Sequence, residues 1–172
     1  MRHNYSIMRI KLDGADMYIL WFSDIQDGVY TYNNGNIPVF NDSESLKKFC
    51  DDQDISVSSD ELIYCNLDMV RGWLENPTEY GIKYDDFFHV WNILHDILLS
   101  IGELQEMENS YPYYYFLYDK LFWGAMIESK GKDHSAYYQD WDEDEILSLQ
   151  GIFKRGIDYF REYGLCKNLT SR

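Results

Sequence analysis

Hydrophobic and polar positions follow two different periods along this 172-residue chain. Near the start the period is two, because Met8, Ile10 and Leu12 alternate with charged residues. This alternation predicts a β-strand with one face exposed to solvent. The six consecutive apolar residues 17–22 predict a second strand that is buried on both faces and is therefore central in a sheet.

Two further segments of the first forty residues also predict strands. Residues 29–32 are rich in β-branched and aromatic side chains, and Asn34-Gly35 supplies the positive φ angles that a tight hairpin turn needs before the strand 37–40. Pro38 lacks a backbone N–H, so this last strand is expected at a sheet edge. The N-terminal part therefore predicts an antiparallel sheet of about four strands.

After Phe40 the period lengthens to that of α-helices. The clearest example is 84–101, where apolar residues recur every three or four positions before Gly102, a typical helix stop. One more short strand is expected at 62–65. The other predicted helices are 41–50 with Asn41 as N-cap, 68–74, a helix from just after Ser110 to about 129, and 142–163. A sheet followed by helices predicts one α+β domain over residues 1–172.

The charge of the chain limits its partners. Asp and Glu number 30 against 15 Lys and Arg, which gives a formal net charge of −15. Binding to nucleic acids or to anionic membranes needs a basic surface, so both are excluded as expected partners. A basic protein is the natural complement, because opposite charges accelerate association.

The cysteines and the N-terminal segment suggest a cytoplasmic protein. Cys50, Cys65 and Cys166 are scattered and form no CxxC pair, which is typical of buried free thiols in a reducing compartment. The first twelve residues carry charges and lack the apolar stretch of a secretory signal. No run of residues is long and apolar enough to predict a membrane span.

The sequence contains none of the common catalytic motifs, such as GxSxG, HExxH or phosphate-binding glycine loops. His134 and Ser135 are adjacent, but neighbours in a loop do not form a triad. His95-Asp96 resembles the dipeptide of metal-dependent phosphohydrolases, yet His89 lies about 120° away around the same predicted helix. We therefore expect no enzyme activity, no metal and no cofactor.

An acidic run and a large number of aromatic residues distinguish this chain. Five of the six residues 140–145 are acidic, and this density exceeds what a helix N-terminus needs. We interpret the run as a docking site for a basic partner, with Trp141 as an apolar anchor. Its members are Asp140, Trp141, Asp142, Glu143, Asp144 and Glu145. A second acidic group extends the candidate site and comprises Asp51, Asp52 and Asp54.

Three segments carry a resemblance to a known class of proteins. These are Phe87-Phe88-His89-Val90-Trp91-Asn92-Ile93-Leu94-His95-Asp96, then 118–124 (Tyr-Asp-Lys-Leu-Phe-Trp-Gly), and Trp141 ahead of the acidic helix that ends in 156–160. Over roughly residues 15–164 the chain resembles immunity proteins of bacterial contact-dependent growth inhibition and related polymorphic toxin systems. The resemblance implies a small cytosolic protein without catalytic activity. Such a protein neutralises a toxin domain, often a basic nuclease, by covering its active site or an adjoining surface.

We therefore expect an immunity protein that binds a cognate, basic toxin domain. Two alternatives remain open at this point. One is a small hydrolase that uses carboxylates with His89 or His95. The other is an acidic adaptor or nucleic-acid mimic that occupies basic DNA-binding proteins in general.

Overall fold

The first two strands form a hairpin that the alternating N-terminal pattern predicts. The computed structural model describes residues 4–129 and 140–166, with side chains at all of these except 59–61, 128, 129 and 166. In it, β1 (Asn4–Leu12) pairs antiparallel with β2 (Ala15–Ser23) along its whole length. Asp13 and Gly14 make the turn with φ angles of 54° and 76°. The two-residue turn fixes the register, so Met8, Ile10 and Leu12 are all buried on one face.

The main sheet has the strand order β3-β2-β1-β5, with β3 at Gly28–Val29 and β5 at Val57–Asn66. The apolar strand β2 is central, as predicted. The α+β class is confirmed, but the sheet is mixed rather than antiparallel, because β5 runs parallel to β1. The long segment between β1 and β5 contains three strands and a helix, and a connection of this length permits the parallel pairing.

The fourth predicted strand, β4 (Ile37–Val39), lies outside the main sheet. It pairs in parallel with β6 (Gly164–Cys166), which follows the last helix. The Asn34-Gly35 turn is present, with φ of 82° at Gly35. Its flanking strands do not pair with each other, so the predicted hairpin is wrong in its partners. Pro38 occupies a two-stranded sheet, where every strand is an edge.

The helices follow the sequence pattern closely. The bounds are α1 (Ser43–Asp52), α2 (Arg71–Glu75) after a 3₁₀ turn at Leu67–Val70, α3 (Tyr84–Ile101), α4 (Leu104–Ser110), α5 (Tyr114–Ser129) and α6 (Glu143–Tyr163). The N-cap of α1 is Asp42 rather than Asn41, since the Asp42 carboxylate accepts the Ser45 N–H. The helix α4 was not predicted. None of the described helices is both long and apolar enough to cross a membrane.

The sheet separates two hydrophobic clusters. On one face, Met8, Ile10 and Ile19 pack with α3, α5 and α6. On the other face, Ile7 and Leu20 pack with the single helix α1. Because neighbouring strand residues point to opposite faces, α1 and α6 lie on opposite sides of the sheet. This arrangement decides where the two acidic groups can be.

Candidate protein-binding surface

The acidic run 140–145 forms the start of α6 and is held by a capping box. The Asp142 Oδ1 accepts the Glu145 N–H at 2.8 Å, and the Glu145 Oε2 accepts the Asp142 N–H at 3.0 Å. These two reciprocal bonds satisfy backbone donors that the first helical turn leaves unpaired. The run is therefore part of a fixed helix start, and two of its acids have a structural role.

Glu145 and Trp141 point into the protein around one lysine. The Lys120 Nζ lies 2.5 Å from the Glu145 Oε2, 2.8 Å from the Asp140 carbonyl oxygen and 4.9 Å from the centre of the Trp141 ring. The Trp141 Nε1 donates to the Tyr84 hydroxyl at 2.9 Å. Trp141 is only 6% exposed. The prediction that it serves as an exposed apolar anchor is wrong, because α5 and the start of α3 cover it.

The other four acids of the run face solvent. Asp140, Asp142, Glu143 and Asp144 are exposed, and within the described part of the chain none of them forms a salt bridge. Lys120, which lies beside them in the described part of the chain, is turned inward to Glu145. Four carboxylates at one helix start thus create a negative potential that no neighbouring described cation neutralises.

An exposed aromatic face lies on α5 and the residue just before it, and sequence reasoning did not locate it. Its members, which we call the aromatic face, are between 49% and 57% exposed: Tyr113, Tyr115, Phe116 and Trp123. Phe116 is linked to the run through Lys120: its ring centre is 5.2 Å from the Lys120 Nζ, which binds the Asp140 carbonyl oxygen and Glu145. The sequence feature that could have revealed this face is that α5 carries apolar residues on all sides. A helix of this kind at a protein surface must expose part of its apolar area.

The second acidic group, Asp51, Asp52 and Asp54, lies on the other side of the sheet. Asp51 and Asp52 end α1, and Asp54 follows in a left-handed conformation with φ of 54°. All three are exposed. Asp51 and Asp54 border a groove of about 610 Å³ between α1 and β5. Since α1 and α6 pack on opposite sheet faces, the two acidic groups belong to different surfaces of the protein.

The two histidines of the hydrolase alternative do not converge. The exposed His89 donates through Nδ1 to the Asp85 carbonyl oxygen of its own helix, at 2.8 Å. His95 is partly buried, with Nδ1 3.1 Å from the Tyr114 hydroxyl, and burial lowers its pKa. Among the described residues, no cluster of three or more His, Cys, Asp or Glu is arranged to hold a metal ion. The His134-Ser135 pair lies outside the described residues.

The described thiols are not activated. Cys50 and Cys65 are buried and free. Burial raises the pKa of Cys50 to about 11 and that of Cys65 to about 12. A thiol that stays protonated at neutral pH is a poor nucleophile, which agrees with the prediction of buried structural cysteines at these two positions.

Comparisons with known proteins define the fold and leave the function open. No protein-family model and no curated protein matches the sequence. The solved structure of the SatS C-terminal domain in complex with bromine is similar, with a TM-score of 0.58 over 95% of this chain and 94% of that chain. The two sequences are 13% identical. At that identity the likeness concerns the fold alone, and it assigns no ligand or partner to this chain.

Proposed function

We propose that this protein is an immunity protein, which binds a basic toxin domain and blocks it without catalysing a reaction. The observation that carries the proposal is the surface at the α5–α6 junction. Phe116 of the exposed aromatic face packs there against Lys120, which also binds the acidic run, and four exposed carboxylates of the run form no salt bridge with a described residue. Aromatic residues within a polar rim are typical of protein interfaces, and a strongly acidic rim selects a basic partner.

The two parts of this surface have different physical roles. The carboxylates of Asp140, Asp142, Glu143 and Asp144 attract a cationic partner over distances of about 8 Å at physiological ionic strength. Such attraction raises the association rate far more than it lowers the dissociation rate. The aromatic face contributes at short range, because large aromatic side chains dominate the binding energy once they are desolvated. Fast capture followed by tight contact is what neutralising a toxin requires.

The charges can be tested separately from the fold. Asp142 caps α6 and Glu145 pairs with Lys120, so both stay unchanged in the test variant. The variant Asp140→Asn/Glu143→Gln/Asp144→Asn removes three exposed charges and keeps every side-chain hydrogen bond described for α6. The probe is the C-terminal domain of the polypeptide encoded immediately upstream of this chain's gene, because toxin and immunity genes of this class are adjacent.

We expect the triple variant to associate about three- to tenfold more slowly at low salt, with a flatter salt dependence and a nearly unchanged dissociation rate. The matched control is Asp51→Asn/Asp52→Asn/Asp54→Asn, which removes the same charge on the opposite sheet face. An equal slowing by both variants would mean that only the net charge matters. Normal association of the first variant, or a failure of the protein to protect cells that produce the toxin domain, would contradict the proposal.

The two alternatives lead to other results in the same experiments. A hydrolase that depends on His89 loses its biological effect in a His89→Ala variant, whereas an immunity protein with an intact acidic surface keeps it, because His89 is exposed. A general mimic of nucleic acids competes with DNA for many basic proteins with similar affinity. An immunity protein binds its cognate domain at least a hundredfold more tightly than unrelated basic proteins.

A further inference from the structure

A small aromatic pocket opens between α3 and α5, next to the aromatic face. Its volume is about 170 Å³. Three of its walls are tyrosines of α5, and its α3 side carries an indole, an amide and an imidazole; the lining residues are Trp91, Asn92, His95, Tyr114, Tyr115 and Tyr118. Small-molecule sites usually measure about 300–1,000 Å³. This pocket is smaller, and its size suits a single inserted side chain.

The rim of the pocket is negatively charged. Glu108 of α4 accepts a hydrogen bond from the Tyr115 hydroxyl. The same carboxylate acts electrostatically on His95 and on Tyr114, and in both cases it raises their pKa. Glu108 therefore lies close to three of the six lining residues. A carboxylate beside several aromatic rings is an arrangement that recognises organic cations.

No positive charge of the pocket itself opposes such a cation. No lysine or arginine is found among the described residues that line it. Burial outweighs the influence of Glu108 on His95 and lowers the pKa of the imidazole. His95 is therefore uncharged at neutral pH and does not repel a cation that enters the pocket.

The protein's own arginines illustrate the contact in question. The guanidinium carbon of Arg9 lies 4.4 Å from the centre of the Tyr64 ring, and that of Arg155 lies 4.1 Å from the Tyr159 ring. A guanidinium group is planar and weakly hydrated, so it stacks on a phenol ring and binds a carboxylate with two parallel hydrogen bonds. The ammonium group of lysine can also lie over an aromatic ring, as that of Lys120 does over Trp141, but it is not planar and cannot form the two parallel hydrogen bonds to a carboxylate.

We propose that the α3–α5 pocket receives an arginine side chain of the partner, which stacks on the tyrosines and pairs with Glu108. This inference rests on the proposed function for the identity of the partner, since the pocket continues the aromatic face through Tyr115. The arginine contact adds specificity to a surface that otherwise attracts a basic partner through the combined charge of many carboxylates. The expected partner therefore presents an exposed arginine next to the apolar area that meets Phe116 and Trp123.

The pocket can be tested without the toxin by titrating short peptides. The probe is acetyl-Gly-Arg-Gly-amide, and its neutral analogue carries citrulline, which has nearly the same shape. Binding is followed by NMR through the indole N–H signal of Trp91 and the ring signals of His95. We expect the arginine peptide to shift both signals with a dissociation constant in the millimolar range and citrulline to bind roughly tenfold more weakly.

Two matched variants distinguish binding in this pocket from attraction by the overall negative charge of the protein. Glu108→Gln is expected to weaken the binding of the arginine peptide about five- to tenfold. Glu106→Gln, at an exposed position on the same helix, is expected to change this binding less than twofold. Equal effects of both variants, equal binding of arginine and citrulline, or no shift up to about 20 mM peptide would overturn the proposal. Equal binding of a lysine peptide would overturn the choice of arginine.

The two proposals fail in different ways. If arginine binds in the pocket but the protein does not protect against a toxin domain, the cation site stands and the immunity function falls. If protection depends on the acidic run while Glu108→Gln binds the toxin domain normally, the function stands and the pocket is not part of the interface.

Discussion

The ion pair that anchors the acidic run allows a sharp test of how the surface is built. Lys120 and Glu145 have side chains that are only 12% and 9% exposed. Removing one member of a buried pair leaves the other charge without compensation, at a cost of about 3–5 kcal/mol. The substitution Lys120→Met keeps the volume and the apolar stem of the side chain. It also removes the hydrogen bond to the Asp140 carbonyl oxygen.

We expect Lys120→Met to lower the free energy of unfolding by about 4 kcal/mol. Glu145→Gln retains an oxygen for the Asp142 N–H and is expected to cost less, about 2–3 kcal/mol. The double variant removes both charges and should be at least about 2 kcal/mol more stable than the sum of the single effects predicts. Urea unfolding followed by tryptophan fluorescence measures all four proteins.

The control is Lys154→Met, at an exposed position of α6, where a change within about 0.5 kcal/mol is expected. For a urea m-value of about 2 kcal/mol/M, the Lys120→Met effect corresponds to a midpoint shift of about 2 M. A loss below about 1 kcal/mol, together with additive single effects, would show that water reaches the pair and would refute the reasoning.

Two further substitutions test the packing around this surface. Burial raises the pKa of Asp96 to about 6, so the folded protein binds the carboxyl proton of Asp96 more tightly than the unfolded chain does. The free energy of unfolding therefore falls as the pH rises from about 4 to about 6. Asp96→Asn is expected to remove that fall and to raise the stability at pH 7 by about 2–3 kcal/mol, measured by urea unfolding at both ends of the range; an unchanged pH profile would contradict it. A Cβ atom at Gly124 would lie 2.0 Å from the Tyr84 ring, whereas one at Gly72 would meet nothing within 4 Å. Gly124→Ala is therefore expected to cost about 1–3 kcal/mol in thermal or urea unfolding. Gly72→Ala, within α2, is expected to stabilise by about 0.5–1 kcal/mol, because alanine favours a helix more than glycine does. Equal effects of the two substitutions would refute the contact.

Local patterns predicted those parts of the fold that local physics decides. The bounds of α3 follow from its apolar period and from Gly102, which takes a φ of 84° at the helix end. The predicted helix 142–163 matches α6 to within one residue, because its apolar period and its acidic first turn are both local signals. The parallel pairing of β5 with β1 was not readable, since it depends on which distant backbone edge is left unpaired.

The candidate site shows the same division. The acidity of 140–145 was plain in the sequence, but the inward position of Trp141 depends on Tyr84, which is far away along the chain. Exposure of Phe116 and Trp123 likewise depends on which side of α5 the other helices cover. A single apolar helix does not reveal its uncovered side, so the aromatic face and the pocket beside it required the tertiary structure.

The pairing of β4 with β6 has a consequence for the biosynthesis of the protein. Ile37 and Gly164 are partners in this small sheet, so β4 leaves the ribosome on the order of 10 s before the strand that completes it. During this interval its backbone edge is open to other nascent chains. β4 is only three residues long, and so short an edge offers a poor template for pairing with another chain, which limits aggregation while the strand waits.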